Sequence, residues 1–284
     1  MKLVSFSTAD GKIRPGALLE EGGLVVDLTA AGCADALAAI CAGITAVDKP
    51  GAYPGYKLGE VRLHAPLANP PRLFAIGLNY RQHAIEAKMA FPEFPVVFFK
   101  LQTAIVGPGD AIVLPKNSGE PDYEAELAFV IGKGGFRIPA SAWREHVYGY
   151  TIVNDVSARD IQRSTSQWSM AKSFPTFCPM GPAIVTADEI ADPHQLAIGL
   201  SIDGEILQNS STSELIFKIP DLIEYLSSIT PLLPGDMVST GTPSGVGMGR
   251  TPKRWLKAGE TVTVTVEGLG SLTNPVVAEP VAAE

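Results

Sequence analysis

Glu124 and Glu126 stand in the run Asp122-Tyr123-Glu124-Ala125-Glu126-Leu127-Ala128-Phe129-Val130. Leu127, Phe129 and Val130 mark a strand, and strand side chains alternate faces with period two, so both carboxylates project from one face. Side by side they repel when charged, and they require a cation between them or a shared proton. A third carboxylate, Asp155, closes the apolar-flanked run Tyr150-Thr151-Ile152-Val153-Asn154-Asp155. Three hard oxygen ligands on two strands suit Mg²⁺ or Mn²⁺ and leave positions for water or substrate. A bare Glu-x-Glu is more often the solvated face of an edge strand, so the neighbouring chemistry must decide.

That chemistry comes in two further groups. In Gly77-Leu78-Asn79-Tyr80-Arg81-Gln82-His83-Ala84-Ile85-Glu86, Asn79 can cap a short helix on which His83 and Glu86 lie three apart, on one face. A carboxylate beside an imidazole fixes its tautomer and raises its basicity, which suits a general base for water; a surface His–Glu pair is the plain alternative. In Asp155 to Gln162 and Lys172 to Phe177, Arg159 and Lys172 can bind a substrate carboxylate or a developing enolate oxygen, or merely neutralise nearby acids. Trp168 and Phe174 read as packing, and His64, His146 and His194 as surface or loop residues. The run Gly235 to Gly247 has neither the Gly-Lys-Ser/Thr ending nor the G-x-G-x-x-G spacing of a phosphate loop, so it reads as a loop whose backbone approaches a ligand.

Strands must carry most of these side chains. The chain has 284 residues with 28 Gly and 23 Pro, and its Val- and Thr-rich runs favour strands joined by tight turns. A small N-terminal α+β domain over residues 1–60 is expected. It has strands at Leu3 to Ser7, Ala17 to Glu20 and Leu24 to Leu28, a helix at Asp35 to Ala42, and a turn-rich boundary at Asp48 to Gly55. Residues 61–284 read as a mainly β catalytic domain with strands at 73–76, 96–100, 111–114, 123–131, 149–156, 183–186, 196–202, 237–240 and 261–266. Its few helices are placed at Arg81 to Met89, Ala142 to Glu145 and Ile219 to Ser228.

Composition excludes some roles. A net charge of −8 argues against nucleic acid, whose phosphates need a basic face. No apolar run is long enough to cross a bilayer, and the N-terminus lacks the pattern of a signal peptide. Cys33, Cys41 and Cys178 have neither metal nor redox spacing, which suggests a reduced, cytoplasmic protein.

The ordered blocks then point to a family. Gly-x-Asn-Tyr-x-x-His-x-x-Glu lies at 77–86, Phe-x-Lys with a later Gly-Pro-x-Asp at 98–110, and Tyr-Glu-x-Glu-Leu at 123–127. Asn-Asp-x-Ser-Ala-Arg-Asp-x-Gln lies at 154–162, Lys-x-Phe-x-Thr-Phe-x-Pro-x-Gly-Pro at 172–182, and Thr-Gly-Thr-Pro-x-Gly-Val-Gly at 240–247. From about Arg72 to Val276 the chain resembles the fumarylacetoacetate hydrolase family, and residues before that resemble, weakly, the variable small domain of bacterial members.

The resemblance implies a mixed β-roll, a homodimer, and a divalent metal (Mg²⁺, Mn²⁺ or Ca²⁺) held by Glu124, Glu126 and Asp155. It implies Lys172 beside the metal as holder of an enolate oxygen, Thr176 as a supporting hydroxyl, and His83 with Glu86 as the dyad that activates water. Tyr80, Arg159, Gln162 and Thr242 would position a small anionic 2-oxo or 2,4-dioxo acid. The expected reaction is hydrolysis of a C–C bond in a 2,4-dioxo acid of the acylpyruvate, fumarylpyruvate or diketo-deoxy sugar acid type. Oxaloacetate decarboxylation and 2-hydroxyhepta-2,4-diene-1,7-dioate isomerisation use the same metal-enolate chemistry and are the alternatives. A non-catalytic Ca²⁺-stabilised β protein would need the carboxylates but not Lys172, His83 or Glu86. The segment Ala87 to Pro95 carries only Lys88 as a cation among Met, Phe and Pro, which suggests an apolar substrate tail.

Overall fold

The computed structural model describes residues 1–19 and 23–280. Its body is a 12-stranded mixed sheet whose main path runs Gly55–Lys57, Leu24–Asp27, Arg14–Leu19, Lys2–Ser7, Cys178–Thr186, Val147–Asn154, Ala125–Ile131, Met237–Ser239, Leu73–Gly77 and Val96–Phe99. Most neighbours are antiparallel, while Met237–Ser239 runs parallel to Leu73–Gly77. A second, 5-stranded sheet is ordered Glu205–Ser211, Ala197–Ile202, Thr261–Val266, Gly270–Ala278 and Ile112–Leu114. The mainly β class read from composition is the one found.

Alternation explains how the layers meet. Val262, Val264 and Val266 turn inward from the second sheet and join Leu127, Phe129, Ile131, Tyr150 and Ile152 in one buried cluster. On the opposite face of the same central strand, Ala128 and Val130 pack with Leu3, Ala17, Val26 and Ile40 of the N-terminal segment. Both faces of Ala125–Ile131 are therefore dry, and every residue in it is buried. The N-terminal strands extend this same sheet, with Lys2 opposite Val185 and Leu3 opposite Ile184.

Local signals set most element ends. Asp35 caps Ala36–Cys41 by accepting the Ala38 N–H at 2.7 Å. Ile219–Ile229 buries Ile219, Leu222, Ile223 and Leu226, each contributing about 2 kcal/mol of apolar burial. The helix over Arg81–Glu86 stops short of the expected Met89 because Lys88 turns left-handed, with φ 55°. Beyond several strands of two or three residues, two longer strands escape the sequence pattern. Gly270–Ala278 places Asn274 inward, where it donates to the carbonyls of Gly107 and Asp110, and Glu205–Ser211 turns Gln208 inward. The strand expected at Ala17 to Glu20 is found as Arg14–Leu19, and Glu20 lies outside the described residues.

Candidate metal centre and active site

The pairing register builds the carboxylate cluster. Ala125 lies opposite Asn154, so the next pair outward is Glu124 and Asp155, joined by the Asp155 N–H to the Glu124 carbonyl at 2.9 Å. Glu126 sits two residues along on the same face as Glu124. One oxygen from each of Glu124, Glu126 and Asp155 lies within 4.8 Å of the others, and all three residues are buried.

Each carboxylate has a donor behind it. Arg159 Nη2 reaches Glu124 Oε1 at 2.6 Å. Lys100 Nζ reaches Asp155 Oδ1 at 2.5 Å and also the Lys172 carbonyl. Ser239 Oγ and the Gly241 N–H meet Glu126 Oε2 at 2.5 and 3.0 Å. Gly241 is required there: its φ is 100°, and a Cβ would stand 2.9 Å from the Ile76 carbonyl oxygen. Lys172 Nζ bridges Glu124 Oε2 and Asp155 Oδ2 at 2.6 and 2.7 Å, over the Phe98 ring.

These contacts split the two glutamates. Burial alone would raise Glu124, but Lys172 and Arg159 outweigh it and hold the carboxyl at about 2. Burial, together with Asp155 and Glu124, pushes Glu126 well above the ordinary carboxylate range. Burial works against the Lys172 ammonium, yet Asp155 and Glu124 raise it. With Asp122, four acids face Lys100, Lys172 and Arg159 in this knot, so the charges balance while Glu126 keeps its proton and one negative charge is in surplus once it ionises.

A cavity of about 310 Å³ opens above the cluster, with Glu124, Glu126 and Lys172 on its floor and His83 on its wall. His83 Nδ1 lies 3.4 Å from Glu86 Oε2, and the Gly245 N–H donates to Glu86 at 3.0 Å. Gly249 makes room for this: a Cβ there would lie 2.2 Å from Glu86 Cδ.

The profile described as fumarylacetoacetate (FAA) hydrolase C-terminal matches residues 72–277. The chain belongs to the fumarylacetoacetate hydrolase family. It is 41% identical to the mitochondrial oxaloacetate tautomerase of Xenopus laevis over 290 residues, spanning 98% of this chain and 90% of that protein. Among solved structures, the 2-hydroxyhepta-2,4-diene-1,7-dioate isomerase of Mycobacterium marinum is 35% identical with a TM-score of 0.78, covering 99% of this chain and 100% of that one. The maleylpyruvate hydrolase of Sphingobium sp. SYK-6, solved with manganese(II) and pyruvate, is 28% identical with a TM-score of 0.82 at the same coverage. These enzymes share the fold with this member and differ in the reaction that their names give.

In this family member the other expected residues are placed as follows. Arg159 is buried and locked by Asp122 Oδ2 at 2.8 Å, Glu124 and Gln162 Oε1 at 2.9 Å; Arg159 and Gln162 line the cavity. Thr242 lines it too, accepting from Gln208 Nε2 at 2.9 Å. Tyr80 is fully buried behind the site, with its hydroxyl unpartnered among the described residues and its pKa raised by burial and by Glu126. Thr176 accepts the Val113 N–H. Trp168, read as packing, forms part of the cavity wall, and a Cβ on Gly77 would lie 2.3 Å from its ring. His146 and His194 are buried hydrogen-bonding residues, not surface ones, since both rings find partners inside the fold.

Lys100 and Asp122 escaped the site reading. Asp122 accepts the N–H groups of Gly247 and Met248, tying the 240–250 loop to Arg159. The signal for it was present, because Asp122, Glu124 and Glu126 continue one period-two series.

The residues fit a divalent cation. Glu126 Oε1 has no hydrogen bond among the described residues, the knot gains a surplus negative charge when Glu126 gives up its proton, and hard oxygen donors converge from two adjacent strands. The donor set does not distinguish Mg²⁺ from Mn²⁺.

Proposed function

We propose that this protein enolises or tautomerises a 2-oxo acid, and that a divalent cation held by Glu124, Glu126 and Asp155 assists it. The observation that carries the reading is one cavity with a cation-ready acidic floor, a buried ammonium on that floor and, on its wall, an imidazole backed by the Glu86 carboxylate. The tautomerase and isomerase names among its relatives support the same reading.

The bound cation would supply Lewis acidity toward the 2-oxo carboxylate end of the substrate. Lys172 adds a fixed positive charge beside the oxygen that becomes an enolate. Glu86 holds Nδ1 of His83, leaving Nε2 as the nitrogen that exchanges a proton. For an enol substrate the hydroxyl proton is lost and C3 gains one, so the net change is a proton moved from oxygen to carbon. Arg159 keeps Glu124 ionised, and Gln162 is braced against Arg159 at the cavity rim.

A second reading is hydrolysis of the C–C bond of a 2,4-dioxo acid. The His83–Glu86 pair favours it because the pair can activate water, and the maleylpyruvate hydrolase likeness supports it. Metal-stripped protein, with and without Mg²⁺ or Mn²⁺, should be assayed by NMR on enol oxaloacetate, a 2-hydroxy-dienedioate, acetylpyruvate and fumarylpyruvate. Metal-dependent ketonisation or a shifted double bond without cleavage is the expected result. Pyruvate and a free acid from the dioxo acids, with no tautomerisation, would give the protein to the second reading.

A further inference from the structure

Gln208 is 1% exposed and makes three side-chain hydrogen bonds, none of which the chemistry above uses. A backbone irregularity puts it there. Leu200 pairs with Gln208 and Ser201 with Ile206, so Leu207 is the extra residue of a bulge in Glu205–Ser211. The bulge breaks the alternation, and Leu207 and Gln208 are buried in succession. Gly245 of the 240–250 loop packs on this kink: its φ is 103°, and a Cβ would stand 2.2 Å from the Leu207 carbonyl oxygen.

Counting hydrogens fixes what Gln208 does. Its Oε1 accepts the N–H of Ala125, the residue between Glu124 and Glu126, at 2.9 Å. Its Nε2 donates to the Pro243 carbonyl at 2.8 Å and to Thr242 Oγ1 at 2.9 Å, which uses both amide hydrogens. Turning the amide over would set donor against donor at Ala125 and acceptor against acceptor at Pro243, so one orientation holds. Thr242 Oγ1 is therefore an acceptor toward Gln208, and its own proton must go elsewhere. No acceptor among the described residues takes that proton, and Thr242 lines the main cavity with Glu124, Glu126 and Lys172. The residue is 3% exposed, and a buried hydroxyl proton without an acceptor is costly.

We infer that Gln208 is a positioning residue that makes Thr242 a hydrogen-bond donor to an oxygen of the bound 2-oxo acid. The inference rests on the proposed 2-oxo acid chemistry. The acceptor is a carboxylate or keto oxygen, and a ligand that turns an N–H toward Thr242 meets a donor and is disfavoured. Because the same amide is anchored on Ala125, the hydroxyl is held in fixed register with the carboxylates on either side of that residue. The second sheet thereby reaches the site through one side chain, although none of its strands carries a carboxylate of the triad.

The test is a double-mutant cycle on pyruvate affinity, measured by calorimetry on Mn²⁺-loaded protein. Thr242→Val should weaken pyruvate binding roughly tenfold, the scale of a hydrogen bond to a charged acceptor. Gln208→Met should weaken it severalfold in the wild-type background and no further in the Thr242→Val background. Thr242→Ser keeps the hydroxyl and should keep both the affinity and its sensitivity to Gln208→Met. A packing role alone would give Gln208→Met the same effect in both backgrounds, and that result, or no effect in either, overturns the inference. Mn²⁺ affinity and the thermal midpoint check that the floor and the fold survive. If Gln208→Met does not fold, Gln208→Glu keeps the shape and the Ala125 bond but gives Thr242 an acceptor that draws its proton away from the cavity. That variant should lose affinity, and most of the loss should disappear in the Thr242→Val background; a loss that persists there overturns the inference too. Pyruvate that fails to bind wild type would overturn the proposed function along with it, whereas pyruvate that binds every variant equally overturns the inference alone.

Discussion

The three triad residues depend on donors that do not face the substrate. Lys100 is the sharpest case, since its ammonium is fully buried against Asp155. Lys100→Met would leave Asp155 with Lys172 alone and should cost about 3 kcal/mol or more in urea unfolding, because a buried charge loses a partner. A loss near zero would show that Lys172 suffices. Glu126 makes the second prediction at this scale. Its carboxyl titrates well above the ordinary range in the metal-free chain, so cation binding must expel a proton. Affinity for Mn²⁺ should therefore rise with pH through that titration and level off above it. Calorimetry in two buffers of different ionisation enthalpy should detect the released proton on the acid side of that titration, and a pH-independent affinity with no proton release would contradict the account. Residue chemistry was legible in the sequence where it is local: 124 with 126 at strand period, 83 with 86 at helix period. Lys100 and Asp155 are 55 positions apart, and no spacing rule reaches that far.

Short elements aim the working groups, and they can be perturbed without touching the triad. Gly249→Ala should push Glu86 off its position and cut turnover roughly 10²-fold, the scale of a lost acid–base partner, while Mn²⁺ affinity holds. Equal loss of metal binding would mean that the loop, rather than the dyad, had failed. The helix Ile219–Ile229 tests a different device. The His194 ring nitrogen Nε2 accepts the Ile219 N–H at 3.2 Å and must be neutral to do so. Burial, aided by Lys218 and Arg144, outweighs Asp192 and lowers its pKa below 6.5. The unfolded chain then takes up that proton first as pH falls. This contribution to stability is full above about 6.5 and is lost below it. His194→Gln should flatten that part of the stability–pH curve, and an unchanged slope would assign the acid sensitivity elsewhere. The helix itself was visible from its apolar spacing. The strands Glu205–Ser211 and Gly270–Ala278 were not, because buried Gln208 and Asn274 stand where the alternation calls for apolar side chains.

At the scale of the molecule, the acidic knot joins distant stretches of chain. Glu126 meets Ser239 and Gly241, Asp155 meets Lys100, and Glu124 meets Arg159 and Lys172. A cation held there binds the folded chain and not the unfolded one. At a hundred times its dissociation constant it should add about 2.7 kcal/mol, visible as a rise in thermal midpoint. In Glu126→Gln that rise should vanish, whereas the metal-free midpoint should stay level, because the amide stands in for a carboxyl that holds its proton in the metal-free chain. A lower metal-free midpoint would show that the ionised carboxylate is itself structural. The β-roll class could be read from composition and motif order, but the meeting of Lys88 with Arg250 and Lys253 exists only once the chain is folded. Floor and rim are also made differently. The floor lies at the ends of central strands whose every side chain is buried, so few substitutions there are tolerated. The rim near Lys88 and Arg250 to Lys253 is exposed or half-buried loop, where single changes leave the core alone. Descendants of such a chain can therefore remodel the rim by mutation while inheriting the floor intact, so kinship within the family is a better guide to the acidic floor than to the reaction completed above it.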